Sequence, residues 1–289
     1  MGEKIFIVGA GLMGSGIAQV AAQGKMSVIL QDISLQALEK AQKSIQFSLE
    51  RFVKKEKITV SEKVEILARI DFTTELARAE EVDLVIEAVY EDLDLKLRIF
   101  RQLESICPTN TILATNTSAL PISKIASVTN RPDKVVGMHF FSPVPMMKLL
   151  EIVRGQLTSD ETVRAVQDIG TRMGKETIVV QKDFGGFIVN RIGLAYMKAA
   201  IDVLTEGIGT AEDIDKGMRL GYGMPMGPLE LADLTGTDVL LHSLENVYHD
   251  LNNEAYFPPS LLKRMVEAGR LGRKVNHGFY RYDENGKKI

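Results

Sequence analysis

The 289-residue chain holds a single cysteine, Cys107. One thiol forms neither an internal disulfide framework nor a cysteine cluster for zinc, and the scarcity suits a reducing compartment. No histidine or cysteine lies near Cys107 in sequence, which favours a small buried filler ahead of Pro108 over a reactive thiol. An excess of positive charge is also missing: 35 Lys and Arg stand against 38 Asp and Glu, a net charge of −3. Nucleic-acid-binding domains usually carry a basic face, so no nucleic-acid partner is expected, although a local basic groove for an anionic ligand stays open. No apolar run approaches the roughly 18 residues of a membrane span. Nor does the chain begin with a leader or transit pattern; it goes straight into Lys4-Ile5-Phe6-Ile7-Val8. The expectation is a cytoplasmic protein without a membrane partner, and a precursor already trimmed of its targeting peptide would read the same. Internal repeats and low-complexity segments are absent as well.

What is present is ordinary globular composition, 45% apolar and 25% charged. The length is generous for one domain and comfortable for two. Apolar, β-rich runs at Ile5–Val8, Ser27–Leu30, Val82–Ala88, Ile112–Thr115 and Val135–Phe140 alternate with segments of helical spacing. That alternation predicts βαβ units and a mainly parallel, Rossmann-type sheet. The long stretch from Ser34 to Arg69 carries Leu38, Ile45, Leu49 and Phe52 at helical spacing and is interrupted by Lys54-Lys55-Glu56-Lys57. It predicts a helical hairpin inserted between the second and third of these runs, with Ser61 as the second helix's N-cap. Beyond Lys182 the strand pattern stops. Helices are expected over Phe187–Leu204, Ala211–Leu220, Pro228–Tyr248 and Pro259–Ala268, with the domain boundary at the Gly185-Gly186 pair. The expected organisation is a dinucleotide-binding domain over residues 1–184 and an all-helical domain over 185–289.

Gly9-Ala10-Gly11-Leu12-Met13-Gly14 is a G-x-G-x-x-G sequence placed where a strand ends and a helix begins, the context that gives the motif meaning. Gly9 permits the tight turn, Gly11 lets the backbone approach a pyrophosphate, and Gly14 lets helix and strand pack closely. The helix N-terminus, at Leu12 and Met13, offers N–H groups and a positive dipole end to phosphates. Asp32 lies 18 residues past Gly14, at the end of the second strand. An acid there accepts hydrogen bonds from a ribose 2′-hydroxyl and repels a 2′-phosphate, which selects NAD over NADP; capping of the helix at Ser34 is a compatible role. His139 sits in the apolar strand Val135–Phe141, and Glu151 in Lys148–Val153, with Ser142-Pro143-Val144-Pro145 between them. A carboxylate in a buried strand needs a partner. The short loop lets the two side chains meet as a base and its orienting acid, but on pattern alone a satisfied core histidine is the more ordinary reading of a lone histidine in an apolar strand.

The segment His139-Phe140-Phe141-Ser142-Pro143-Val144-Pro145-Met146-Met147-Lys148-Leu149-Leu150-Glu151 resembles the signature of 3-hydroxyacyl-CoA dehydrogenases. Ala114-Thr115-Asn116-Thr117-Ser118, Gly186-Phe187-Ile188-Val189-Asn190-Arg191, Pro225-Met226-Gly227-Pro228 and Gly278-Phe279-Tyr280 resemble further landmarks of that family, in order and over essentially the whole chain. The resemblance implies oxidation of an (S)-3-hydroxyacyl-CoA, most closely 3-hydroxybutyryl-CoA, with NAD. The segments Phe187–Leu204 and Pro228–Tyr248 are too apolar for a small domain to hide alone, so a homodimer through the helical domain is expected. The resemblance also implies that His139 is the general base, that Glu151 orients it, and that Ser118 hydrogen-bonds the C3 oxygen. It further implies that Asn190 helps place the substrate, and that Glu91, Lys96 and Asn116 lie at the cofactor. Ser118 as a turn cap, Asn190 as a surface amide and Glu91–Lys96 as a solvated pair remain open. Lys54, with Lys55 and Lys57, falls where the family binds the CoA tail, and a solvated charge run is the competing reading. The sequence departs from the family at Ser142 (usually Asn), at Gly185 (usually Pro, suggesting a looser hinge) and at Asn276-His277 (usually Gly and a basic residue). None of the remaining histidines has metal-ligand spacing. A hydroxy-acid dehydrogenase without CoA and a non-catalytic NAD-binding relative are the alternatives.

Overall fold

The computed structural model of the chain describes residues 3–289. It divides into two compact units, one ending at Asp183 and one running from Phe184 to Ile289. The first unit is built on eight strands: β1 (Lys4–Val8), β2 (Ser27–Gln31), β3 (Ile70–Thr73), β4 (Leu84–Glu87), β5 (Ile112–Thr115), β6 (Val135–Phe140), β7 (Leu149–Arg154) and β8 (Glu176–Val180). They lie in the order β3-β2-β1-β4-β5-β6-β7-β8. The ladder is parallel except where β7 runs antiparallel to β6, with β8 parallel to β7. Helices α1 (Leu12–Gln23), α2 (Leu35–Lys54), α3 (Val60–Ala68), α4 (Leu93–Ile106), α5 (Ile122–Ala126) and α6 (Asp160–Arg172) connect the strands. Strands buried on both faces read as unbroken apolar runs rather than alternating ones, as Ile5–Val8 and Leu84–Ile86 do. Ile5 and Ile7 of β1 join Ile17 and Ala21 of α1 and Ile45 and Leu49 of α2 in one core.

The helical hairpin is present as α2 and α3, with two differences from the sequence reading. Its second helix is capped by Thr59, not Ser61: the Thr59 hydroxyl accepts from Glu62 N at 3.1 Å while Thr59 N donates to Glu62 Oε2 at 2.7 Å. This reciprocal box satisfies two end groups at once, which a lone serine does not. The hairpin also leads into β3, an edge strand too short to stand out by pattern, so it is inserted ahead of β3 and not directly before the Val82–Ala88 run.

The second unit comprises α7 (Val189–Thr205), α8 (Ala211–Gly221), α9 (Pro228–Thr235), α10 (Thr237–Leu251) and α11 (Ser260–Glu267). The single helix expected over Pro228–Tyr248 is two, because Gly236 takes φ +99°, outside helical space. Leu194, Ile201, Leu229, Leu240, Leu244 and Leu262 form its core. Two buried carboxylates organise the rest. Asp215 accepts from the N–H groups of Leu229 and Glu230, capping α9 from a distance, and from the Tyr280 hydroxyl. Asp233 accepts from the N–H groups of Phe279 and Tyr280 and from the Tyr282 hydroxyl. A Cβ at Gly278 would lie 1.8 Å from Asp233 Oδ1, so only glycine allows this approach. Asn276 sits at φ +59°, a left-handed position that asparagine tolerates better than other side chains. That is why it stands in for glycine there.

Candidate active site

The turn from β1 into α1 is set by its glycines. Gly9 has φ +101°, and a Cβ there would meet the Ala88 carbonyl oxygen at 2.8 Å. A Cβ at Gly14 would fall 1.8 Å from the Gly9 carbonyl oxygen, whereas at Gly11 it would meet no atom within 4 Å. Gly14 therefore serves helix–strand packing, and Gly11 leaves room outside the protein for a ligand. Gly11 is the N-cap of α1 and gives it no side-chain cap; the first-turn N–H groups, Leu12 and Met13 among them, have no intrahelical acceptor. Next to them opens a cavity of about 950 Å³ lined by Gly11, Leu12, Met13, Asp32, Tyr90 and Arg98, among others. It lies where the strand order reverses between β1 and β4, the switch point at which open α/β sheets bind ligands. Asp32 follows β2, and its carboxylate is held on both sides, by Ala10 N at 2.8 Å and Ser34 N at 2.9 Å. Each oxygen accepts more than one bond, so these two contacts leave the carboxylate capacity for a further donor. An open glycine, helix N–H groups and a fixed acid suit a dinucleotide.

The antiparallel β6–β7 pair sets His139 directly opposite Glu151. Both side chains are buried, and His139 Nδ1 lies 2.7 Å from Glu151 Oε2. A buried carboxylate at this distance fixes Nδ1 as the protonated nitrogen and presents Nε2 for proton exchange. The Phe141 ring packs 4.6 Å from the imidazole, centroid to centroid.

A second buried cluster links the cavity to this pair, and it contains Glu87, which the sequence reading did not single out. Glu87, at the end of β4, accepts from Lys96 Nζ at 2.7 and 2.9 Å, from the Thr115 hydroxyl at 2.7 Å and from Val89 N at 2.7 Å. The signal was available: a glutamate inside Leu84-Val85-Ile86-Glu87-Ala88 poses the same burial problem as Glu151. Lys96 has no exposed side-chain surface and lies 3.6 Å from Glu91, so the solvated-pair reading does not fit it. Glu91 in turn accepts from the Thr117 hydroxyl and from the N–H groups of Ser118 and Ala119. It thereby holds the loop that exposes Ser118. Asn116 N donates to the Glu87 carbonyl, and Asn116 Oδ1 accepts from Phe140 N at 2.9 Å, tying the end of β5 to the residue after His139.

Asn190 belongs to the second unit, half-buried in the first turn of α7. Lys54, Lys55 and Lys57 are exposed at the end of α2 and just beyond it. Of the departures from the family pattern, Ser142 is exposed. Gly185 is not a loosened position: its N–H, which proline lacks, donates to Asp250 Oδ2 at 2.8 Å, and a Cβ there would crowd that oxygen at 2.9 Å.

Comparison with known proteins agrees in outline. Residues 4–184 match the family model "3-hydroxyacyl-CoA dehydrogenase, NAD binding domain", and residues 186–282 match "3-hydroxyacyl-CoA dehydrogenase, C-terminal domain". The chain is 45% identical to a probable 3-hydroxybutyryl-CoA dehydrogenase of Bacillus subtilis over 98% of each chain. It is 42% identical to a 3-hydroxybutyryl-CoA dehydrogenase of Clostridioides difficile over 97% of this chain and 100% of that one. The crystal structure of (S)-3-hydroxybutyryl-CoA dehydrogenase from Ralstonia eutropha superimposes with a TM-score of 0.94 at 44% identity, covering 98% of this chain and 100% of that one.

Proposed function

The chain belongs to the 3-hydroxyacyl-CoA dehydrogenase family, and from that premise we propose that it interconverts an (S)-3-hydroxyacyl-CoA, 3-hydroxybutyryl-CoA first among them, and the 3-oxoacyl-CoA. The observation that carries the proposal is the buried 2.7 Å contact between His139 Nδ1 and Glu151 in the same unit as the dinucleotide motif. Hydride transfer to or from C3 is the chemistry that a bound nicotinamide would supply. His139 Nε2 takes the hydroxyl proton as C3 becomes a ketone, and gives it back in the reverse direction. Glu151 holds the tautomer and offsets the charge of the imidazolium. Ser118 donates a hydrogen bond to the C3 oxygen, Glu91 and Lys96 hold its loop beside the cofactor, and Asn116 holds the histidine strand. Asn190 helps place the substrate, and Lys54 attracts the phosphates of CoA. The activity is tested by the rise of reduced-nicotinamide absorbance with NAD and (S)-3-hydroxybutyryl-CoA; turnover of small hydroxy acids but of no CoA ester would point to the non-CoA alternative.

Asp32 makes the cofactor NAD and not NADP. Asp32→Ser is expected to lower the ratio of kcat/KM for NADH over NADPH by at least about tenfold, since a like charge set against the 2′-phosphate costs several kcal/mol; an unchanged ratio would place selectivity elsewhere. The protein works as a homodimer through its helical unit, where Ile192, Ile208, Leu220 and Tyr222 lie exposed. Sedimentation velocity should give twice the chain mass, and a monomer at micromolar concentration would sink this reading. Among the described residues no helix is long and apolar enough to cross a membrane.

A further inference from the structure

The two strands that set His139 opposite Glu151 are joined by the loop between β6 and β7. That loop is held by an ammonium from outside it. Lys175, in the residue just before β8, is buried, with 6% of its surface exposed. Its Nζ donates to the Val144 carbonyl at 2.5 Å and to the Met147 carbonyl at 2.7 Å. Next to it Glu176 N donates to the Lys148 carbonyl at 2.8 Å. Three successive carbonyl anchors therefore fix the second half of the loop to the start of β8. Val144 is buried against α1, where a Cβ at Gly16 would come within 2.8 Å of the Val144 Cβ. The strapped loop thus touches the helix whose first turn faces the cofactor cavity, and it ends at the strand that carries Glu151.

A buried lysine is a costly way to fill this space. Burial pushes its pKa down to about 8, and a methionine of similar length would avoid that cost. What the ammonium returns is donors for two backbone carbonyls that a hydrocarbon leaves unsatisfied. We infer that Lys175 is a positioning residue, whose ammonium straps the Val144–Met147 segment so that His139 and Glu151 stay opposed at proton-transfer geometry. This rests on the reading of His139 as the base.

The test is Lys175→Met in the full chain. Turnover, KM for acetoacetyl-CoA, the Kd for NADH, the melting temperature and the downfield proton resonance of His139 Nδ1–H are compared with wild type. The resonance is assigned by its loss in His139→Gln. The expected result is a kcat lowered by about 10–100-fold, the scale of a misplacement near 1 Å, with KM and Kd unchanged, the resonance shifted or broadened, and a variant that stays folded at the assay temperature although its melting temperature falls. An unchanged kcat and resonance would overturn the inference, as would a loss of activity that only tracks unfolded protein. If Lys175→Met does not fold, Lys175→Gln, which keeps a donor for one carbonyl, is read in the same way with a smaller loss. A wild-type protein without turnover would sink the base assignment, while the resonance still reports whether Lys175 sets the His139–Glu151 contact.

Discussion

His139→Gln is expected to lower kcat by roughly 10²–10⁴-fold, the usual worth of a positioned acid–base group, while NADH binds with unchanged affinity. Glutamine is close in size to histidine and its amide N–H still donates to Glu151, so the buried carboxylate keeps a partner and the β6–β7 register has no cause to slip. What it lacks is a nitrogen that exchanges a proton at neutral pH. The cofactor cavity draws its lining from the turn between β1 and α1, the end of β2 and the start of α2, Thr74 and Leu76 beyond β3, Ala88–Tyr90 and one face of α4, and not from β6. A fluorescence titration with NADH and steady-state kinetics on the same preparation separate the two properties. Wild-type turnover in this variant would remove His139 from the chemistry.

Gly14→Ala should fail differently, and its contrast with Gly11→Ala is the informative part. The new Cβ at position 14 would overlap the Gly9 carbonyl oxygen at 1.8 Å and its carbonyl carbon at 3.0 Å, while Ile7 Cγ2 at 3.5 Å would be in ordinary contact. The first obstacle is backbone, so either α1 lifts from β1 or the turn opens. Overpacking of this kind costs about 1–3 kcal/mol of stability. Both escapes also displace the first-turn N–H groups of Leu12 and Met13, and NADH affinity should fall by about 100-fold, or about 2.7 kcal/mol. At Gly11 nothing in the protein lies within 4 Å of the added methyl. Gly11→Ala should therefore melt like the wild type and lose affinity only through contact with the pyrophosphate. Thermal melts and NADH titrations of both variants check this; equal stability of the two would contradict the packing role of Gly14.

Much of this arrangement was legible in the chain because its signals are local. Apolar runs bounded by turn residues marked six of the strands. A buried glutamate across a short loop from a histidine marked the His139–Glu151 pair, which the register then set face to face. Glu87 carried the same signal and went unused because no histidine lay nearby, its partner being a lysine nine residues on. Other features had no local mark. Lys175 finds its acceptors 28 and 31 residues away on backbone atoms, which no side-chain pattern encodes. The break at Gly236 was hidden because one glycine within an apolar helical pattern is tolerable, and only its positive φ makes it a terminus. Gly185 read as a loosened hinge from what it lacks relative to proline; what it has, an N–H for Asp250, is visible only once α10 is in place.

The most direct measurement is NADH oxidation with acetoacetyl-CoA by wild-type protein and His139→Gln side by side, at substrate concentrations above KM. Rapid loss of absorbance by the wild type, a rate lower by roughly 10²–10⁴-fold in the variant and equal NADH affinity in both is the result expected of a 3-hydroxyacyl-CoA dehydrogenase working through His139. No turnover by folded wild-type protein that binds NADH, or equal turnover by the two proteins, would contradict it.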